Sequence, residues 1–241
     1  MPSRRLALAA CAVTTILAAA PARADVILPA TANATVLASG PRTGANGQRF
    51  FDVESAANGS FASFGVLDFA TTATTGVLAS SLTLTLTQAN ASFTANGGLG
   101  FYLSEDTATG IAVGASPLTY NATSSPTGVG TQLAPNFLLG TGTFTEVADG
   151  TADAFTFALT AAEQSYVEGE VAAGGPIRLL VAATDTAVAA TYAGVTNTEF
   201  AGPSLTLRTA AGTAVPEPGT WPLLGAALAG LGLARRRRAT P

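Results

Sequence analysis

The sequence predicts an all-β fold, an antiparallel β-sandwich or jelly roll crossed by one short helix. Three observations predict it. Apolar and polar residues alternate with a period of two along several short segments, and clusters of Gly, Asn, Pro and Asp separate those segments. Only 11% of the 241 residues are charged, and Ala, Thr, Ser and Gly fill much of the chain. Small residues of this kind suit thin strands and turns better than a thick helical core.

The clearest strand is Ser81–Thr87, which places three leucines on one face and four hydroxyl residues on the other. This alternation is typical of an antiparallel strand that is buried on one side only. Similar patterns predict five more strands: Phe61–Phe69, Leu99–Ser104, Asp153–Leu159, Pro176–Ala183 and Ser204–Thr209.

One segment has the pattern of a helix. Thr160 and Glu163 form a capping box, and the helix predicted over Ala161–Ala173 ends at the glycine pair that follows. The proline-rich and glycine-rich stretch Ser116–Gly142 predicts an irregular loop.

Residues 1–24 have the features of a secretory signal peptide. Arg4 and Arg5 precede an apolar run over Leu6–Ala20. Ala22-Arg23-Ala24 then has the small-x-small pattern that signal peptidase cleaves. The alternative, a lipoprotein acylated at Cys11, would leave an apolar stretch after the cysteine. We therefore expect cleavage after Ala24.

The other end, residues 214–241, combines three features in a fixed order. A Pro216-Glu217-Pro218 motif comes first, then sixteen uncharged residues over Gly219–Ala234, and then four basic residues, Arg235, Arg236, Arg237 and Arg238. As a helix the apolar run would be about 24 Å long, slightly short of a hydrocarbon core. The arginines would remain on the cytoplasmic side as a membrane stop.

This tail resembles the PEP-CTERM sorting signal of Gram-negative bacteria. The resemblance implies that exosortase, a membrane peptidase, recognises Pro216, Glu217 and Pro218 while the apolar helix and the arginines hold the substrate in the membrane. It also implies an inner-membrane-anchored intermediate that is later released to the cell surface or the extracellular space. Signal peptidase, exosortase and, transiently, the inner membrane are the expected partners.

The region between the two ends, residues 25–213, is predicted to be one β-sandwich domain. It resembles the DNRLRE-type β-sandwich domains of secreted bacterial proteins in the order of five segments: Phe64–Phe69, Ala79–Leu84, Phe155–Phe157, Ile177–Val181 and Glu199–Leu207. The resemblance implies an adhesive or stalk-like surface protein, or a domain of a carbohydrate-active enzyme.

The composition of residues 25–213 excludes several functions. It has four Arg against fourteen Asp and Glu, so a nucleic-acid partner is not expected. It has no Lys, His or Cys, which excludes thiol nucleophiles, Schiff bases, His-dependent triads and His or Cys zinc sites. We predict no cofactor.

Carboxylates and hydroxyls are the remaining candidates for chemistry. The closest acidic pairs are Glu105 with Asp106, Asp149 with Asp153, and Glu168 with Glu170. A glycosidase needs two carboxylates about 5–10 Å apart, but acidic residues also keep an exported domain soluble. We predict no metal site. The minority alternative is calcium at Asp149 and Asp153, on a glycine-containing loop.

The threonines of the clearest strand, Thr83, Thr85 and Thr87, could contact a sugar or ice surface if neighbouring strands carried aligned threonines or aromatic platforms. Otherwise they are the polar face of a half-buried strand.

Together these features predict an exported, noncatalytic β-sandwich protein of the cell surface or extracellular matrix that exosortase processes. Two alternatives stay open: a module that binds exopolysaccharide, and a carboxylate-dependent hydrolase.

Overall fold

The computed structural model describes residues 25–73, 79–124, 127–133 and 136–209. The strands in these ranges are β1 Val26–Leu37, β2 Gly40–Pro41, β3 Phe50–Glu54, β4 Phe64–Ala70, β5 Ala79–Thr87, β6 Gly97–Ser104, β7 Asn136–Phe144, β8 Ala152–Ala158, β9 Pro176–Ala183, β10 Ala189–Ala193 and β11 Ser204–Thr209. The α-helices are α1 Asn46–Arg49 and α2 Ala161–Ala173, and three short 3-10 turns lie at Ala56–Phe61, Ala91–Phe93 and Thr131–Leu133.

The strand order is β7-β6-β9-β4-β1-β11-β5-β8, and every pair is antiparallel. The long strand β1 pairs with a different neighbour along each part of its length. Residues Val26–Pro29 pair with β11, and from Ala30 onwards the strand pairs with β4, with a register shift between Ala30 and Ala32. The nine-stranded sheet is nearly closed. Strands β3 and β10 form a separate two-stranded ribbon. The predicted antiparallel all-β class is confirmed.

The main core lies where the leucine face of β5 meets the other strands. Leu82, Leu84 and Leu86 are fully buried, as the alternation predicted. Aromatic rings fill the space around them, and Phe101 packs against Phe155 and Phe157 with ring centroids 4.5 and 5.0 Å apart. Burial of such side chains is the main source of stability in a domain whose described residues contain no cysteine.

The predicted helix α2 is confirmed at both ends. Glu163 N donates to Thr160 Oγ1 over 3.4 Å, and Thr160 N donates to Glu163 Oε2 over 2.6 Å, which completes the capping box. The helix ends at Gly174, whose φ of 69° is the left-handed conformation that favours glycine. Val167 and Val171 bury their side chains in the main core, so the helix covers one end of the strands.

The predicted loop Ser116–Gly142 is wrong in its C-terminal part. Asn136–Phe144 forms the nine-residue edge strand β7 along β6. Two glycines of β7 occupy positions where a side chain would collide with an aromatic ring of another strand. A Cβ at Gly140 would come within 3.0 Å of the Phe157 ring, and one at Gly142 within 2.8 Å of the Phe155 ring. These glycines therefore indicate close packing rather than a turn.

Two other expectations about strands need correction. The strand predicted to begin at Phe61 begins at Phe64, because Phe61 lies in a 3-10 turn with 62% of its surface exposed. The sequence pattern also missed β1, β3 and β10. Much of β10 is buried alanine, so its two faces do not differ in polarity.

Candidate functional site

A cleft of about 370 Å³ opens beside β1, between three loops. Its walls come from segments far apart in sequence, at the start of α1, in the loop after β6 and in the loop after β10. The side chains that matter most to its chemistry are Arg42, Gln48, Ile111, Val113 and Thr196. A cleft of this size is at the low end of ligand pockets, so it suits a small ligand or a short part of a larger one.

The wall after β10 is held rigidly against α1 and β1. Gly194 N donates to Arg49 O over 2.8 Å, and Thr196 N donates to Gln48 O over 3.1 Å. Asn33, which is buried, accepts at Oδ1 from Val195 N over 2.8 Å and donates from Nδ2 to the Phe50 carbonyl over 3.1 Å. Because both ends of this amide are used, the cleft is formed before any ligand arrives.

Arg42, which lines the cleft, forms a partly buried ion pair with Asp52. The Asp52 side chain is 3% exposed, whereas that of Arg42 is 22% exposed and reaches the cleft. Burial raises the pKa of the Asp52 carboxyl, against the opposing effects of the Arg42 charge and the hydroxyls of Thr191 and Thr35. Arg42 is the cationic residue among the described residues that line the cleft.

Glu54 lies two residues further along β3, on the same face as Asp52. Burial, and after it the Asp52 charge, raise the pKa of Glu54 to about 7, although the Arg42 charge acts in the opposite direction. Near neutral pH this carboxyl is therefore only partly ionised.

Glu54 makes stability depend on pH. Between about pH 4.5 and pH 7 the folded protein keeps a proton that the unfolded chain has released, so the free energy of unfolding falls as the pH rises through this range. Because the side chain is partly exposed, we expect a loss of about 1–2 kcal/mol. In Glu54→Gln most of this slope should disappear, which urea unfolding at pH 5 and pH 8 would measure. An equal slope in both proteins would contradict the assignment.

The acidic pairs noted in the sequence have structural roles or point apart. Asp106 caps its own loop, and hydrogen bonds from Thr109 lower the pKa of its carboxyl. Glu168 and Glu170 are two residues apart on α2, so their side chains do not face each other.

The calcium candidates Asp149 and Asp153 are each bonded to protein donors. Asp149 Oδ1 accepts from Ala91 N over 3.0 Å, while Asp153 Oδ2 accepts from Gln88 Nε2 over 2.8 Å and from the Tyr192 hydroxyl over 3.2 Å. Within the described ranges, no three Asp or Glu side chains cluster as a metal site requires. The prediction of no metal site, with calcium at this loop as the minority alternative, stays a prediction.

The threonines of β5 do have aligned neighbours. Thr83 lies opposite Thr206 of β11 and Thr156 of β8, and the hydroxyls of Thr83 and Thr156 are 2.9 Å apart. Thr85 lies opposite Ser204, while Thr87 is buried. The hydroxyls form the polar outer face of three adjacent strands.

Sequence reasoning missed Arg42, Asp52 and Glu54. The signal was present in Phe50–Glu54, where two acidic residues with a spacing of two alternate with apolar ones, as on the polar face of a strand. What the sequence could not show is that Arg42 pairs with Asp52 and lines a cleft together with residues of the loops after β6 and β10.

The predicted sorting residues Pro216, Glu217 and Pro218 and the membrane stop Arg235, Arg236, Arg237 and Arg238 lie outside the described residues. Residues 214–238 match the family model described as the PEP-CTERM protein-sorting motif. The chain carries a PEP-CTERM sorting signal. It is therefore an exported protein that a C-terminal, membrane-anchoring signal directs to exosortase.

The PEP-CTERM match covers the tail alone and leaves the domain unassigned. A comparison with curated proteins gives no match. In the four described ranges, no helix combines the length and the apolar character that crossing a membrane requires. The resemblance of the domain to DNRLRE-type sandwiches stays a prediction.

Proposed function

We propose that this PEP-CTERM protein is a noncatalytic β-sandwich component of the surface or extracellular matrix of a Gram-negative bacterium. Signal peptidase removes residues 1–24, and exosortase then cleaves near Pro216–Pro218 while the apolar tail and the arginines hold the chain in the inner membrane. The sorting signal carries the proposal. A domain without Lys, His or Cys, whose acidic pairs cap loops or point apart, supports a noncatalytic role.

Removing the sorting signal tests this pathway. In cell fractions, the variant P216A/E217A/P218A should accumulate in the membrane with its C-terminal tail intact, because it keeps the apolar run and the arginines but loses the recognition motif. Deletion of residues 216–238 should instead release the protein, also without exosortase cleavage. Intact mass and terminal sequencing would measure both cut sites.

The matched control for the triple variant is Arg208→Ala, which changes an exposed side chain of β11. This control should be processed like the natural protein. If the triple variant were cleaved and located as the control is, exosortase recognition through Pro216–Pro218 would be disproved. A first residue other than Asp25 would disprove the proposed signal peptidase site.

A second candidate function is binding of exopolysaccharide. The cleft favours it, because a preformed concavity lined by an arginine is suited to a ligand, and neither Asp nor Glu is among the described residues that line it. A pull-down of the purified protein with exopolysaccharide from its host would test it, and the absence of retention would count against it.

A further inference from the structure

The cleft presents hydrogen-bonding groups of a particular kind. Within the described residues, Asp52 is the partner of the Arg42 guanidinium, through Nη1, and the remaining N–H groups of this partly exposed side chain can donate to a ligand. Gln48 and Thr196 are exposed at the rim and offer both donors and acceptors. The ligand should therefore carry several hydroxyl or ether oxygens.

The charges around the cleft disfavour an anionic ligand. Asp52 already balances the Arg42 charge, and Glu54 adds a second carboxyl behind it. Arg49 is paired with Glu199 over 3.1 Å and lies over the Phe50 ring. The Arg42 guanidinium therefore offers hydrogen-bond donors in a fixed geometry, while the nearby carboxyls neutralise its positive charge. This combination suits a neutral ligand.

The lining of the cleft also includes apolar side chains. Ile111 is 8% exposed, and Val113, from the same loop, has 53% of its surface exposed at the mouth of the cleft. Pro41, Ala34 and Ala45 extend this apolar surface. A ligand that fills the cleft therefore meets both apolar side chains and hydrogen-bonding groups, so it should carry C–H groups as well as oxygen atoms.

We propose that this cleft is a binding site for a neutral saccharide. A pyranose ring has C–H groups on its faces and hydroxyls around its rim, which matches a lining that combines Ile111 and Val113 with Arg42, Gln48 and Thr196. The proposal deepens the proposed function, because it depends on a polysaccharide-containing setting outside the cell. The cleft volume of about 370 Å³ suits a short segment of a glycan rather than a long chain.

Saturation-transfer NMR on the full chain in mild detergent tests the proposal. The probes are neutral oligosaccharides of glucose, mannose and galactose, with oligogalacturonate as the anionic comparison. We expect signal transfer to at least one neutral oligosaccharide and none to oligogalacturonate. Transfer to oligogalacturonate alone, or to no probe from a correctly folded protein, would overturn the proposal.

Variants locate the site. Val113→Ser should weaken binding about tenfold, because the substitution removes the apolar methyl groups that this side chain offers to the ligand. Gln48→Ala should weaken binding as well, and both side chains are exposed enough for the fold to survive. Arg42→Lys keeps the charge but loses the planar fork, so it should also bind more weakly.

The matched control is Leu138→Ser, a similarly exposed apolar side chain on β7 that does not line the cleft. Equal affinities of Val113→Ser and Leu138→Ser would place any saccharide site elsewhere and overturn the assignment. Failure here is distinguishable from failure of the proposed function, because exosortase processing is read separately from the intact mass of the protein in its host.

Discussion

Replacing Arg178 with methionine should lower the free energy of unfolding by about 3–5 kcal/mol. Arg178 lies on β9 directly opposite Asp68 on β4, and its side chain is 3% exposed. Nε and Nη2 donate to the two Asp68 oxygens over 2.7 and 2.8 Å, and Nη1 donates to the carbonyls of Asp106 and Thr109. The substitution leaves a carboxylate without its counter-ion in the interior and frees the loop after β6.

Urea unfolding with Arg208→Met as the control would measure this effect. Arg208 is 59% exposed and 3.9 Å from Asp25, so its loss should cost less than about 0.5 kcal/mol. The double variant R178M/D68L should recover much of the stability, because an apolar pair leaves no buried charge behind. Equal losses for R178M and R208M would contradict the structural role of the buried pair.

Substituting Gly194 with alanine should destabilise the protein by about 1–3 kcal/mol and distort the cleft. A Cβ at this position would lie 2.2 Å from the Gln48 carbonyl oxygen and 2.8 Å from Asn33 Oδ1. The first of these contacts is with backbone, so relief requires the loop after β10 to move away from α1. The hydrogen bond from Gly194 N to Arg49 O, which holds this wall, would be lengthened or lost.

Gly169→Ala is the matched control, since it adds the same methyl group where space is open. Gly169 is exposed within α2, and nothing lies within 4 Å of a Cβ built there. Alanine should therefore stabilise the helix by about 0.5–1 kcal/mol. Thermal unfolding should shift in opposite directions for the two variants, and an unchanged or raised unfolding temperature of Gly194→Ala would disprove the close approach at Gly194.

The strands that the sequence predicted well are those with a polar and an apolar face. The Leu82, Leu84 and Leu86 pattern identified β5, because one side of that strand faces the core and the other faces solvent. The edge strand β7 was missed because glycine in a sequence indicates a turn, whereas here Gly140 and Gly142 make room for aromatic rings of β8. The local sequence of one strand cannot indicate where an aromatic ring of another strand will lie.

The cleft could not be predicted for a similar reason. Arg42 and Asp52 are ten residues apart, but Val113 and Thr196 join them only through folding. The acidic pairs that sequence proximity suggested are used by their own loops, as in Asp106, or point apart on a helix, as in Glu168 and Glu170. Proximity in the chain was therefore a poor guide to proximity in space.

The sequence by itself determined how this protein is exported, because a sorting signal is contiguous and its recognition depends on the order of motif, apolar run and arginines. It also determined the all-β class and the ends of α2, which follow from alternation and from local capping hydrogen bonds. Only the tertiary structure decided that β1 pairs with both β11 and β4 and that Arg178 and Asp68, 110 residues apart, form a largely buried pair. Those features depend on which strands become neighbours, and that choice is made by packing of the whole core.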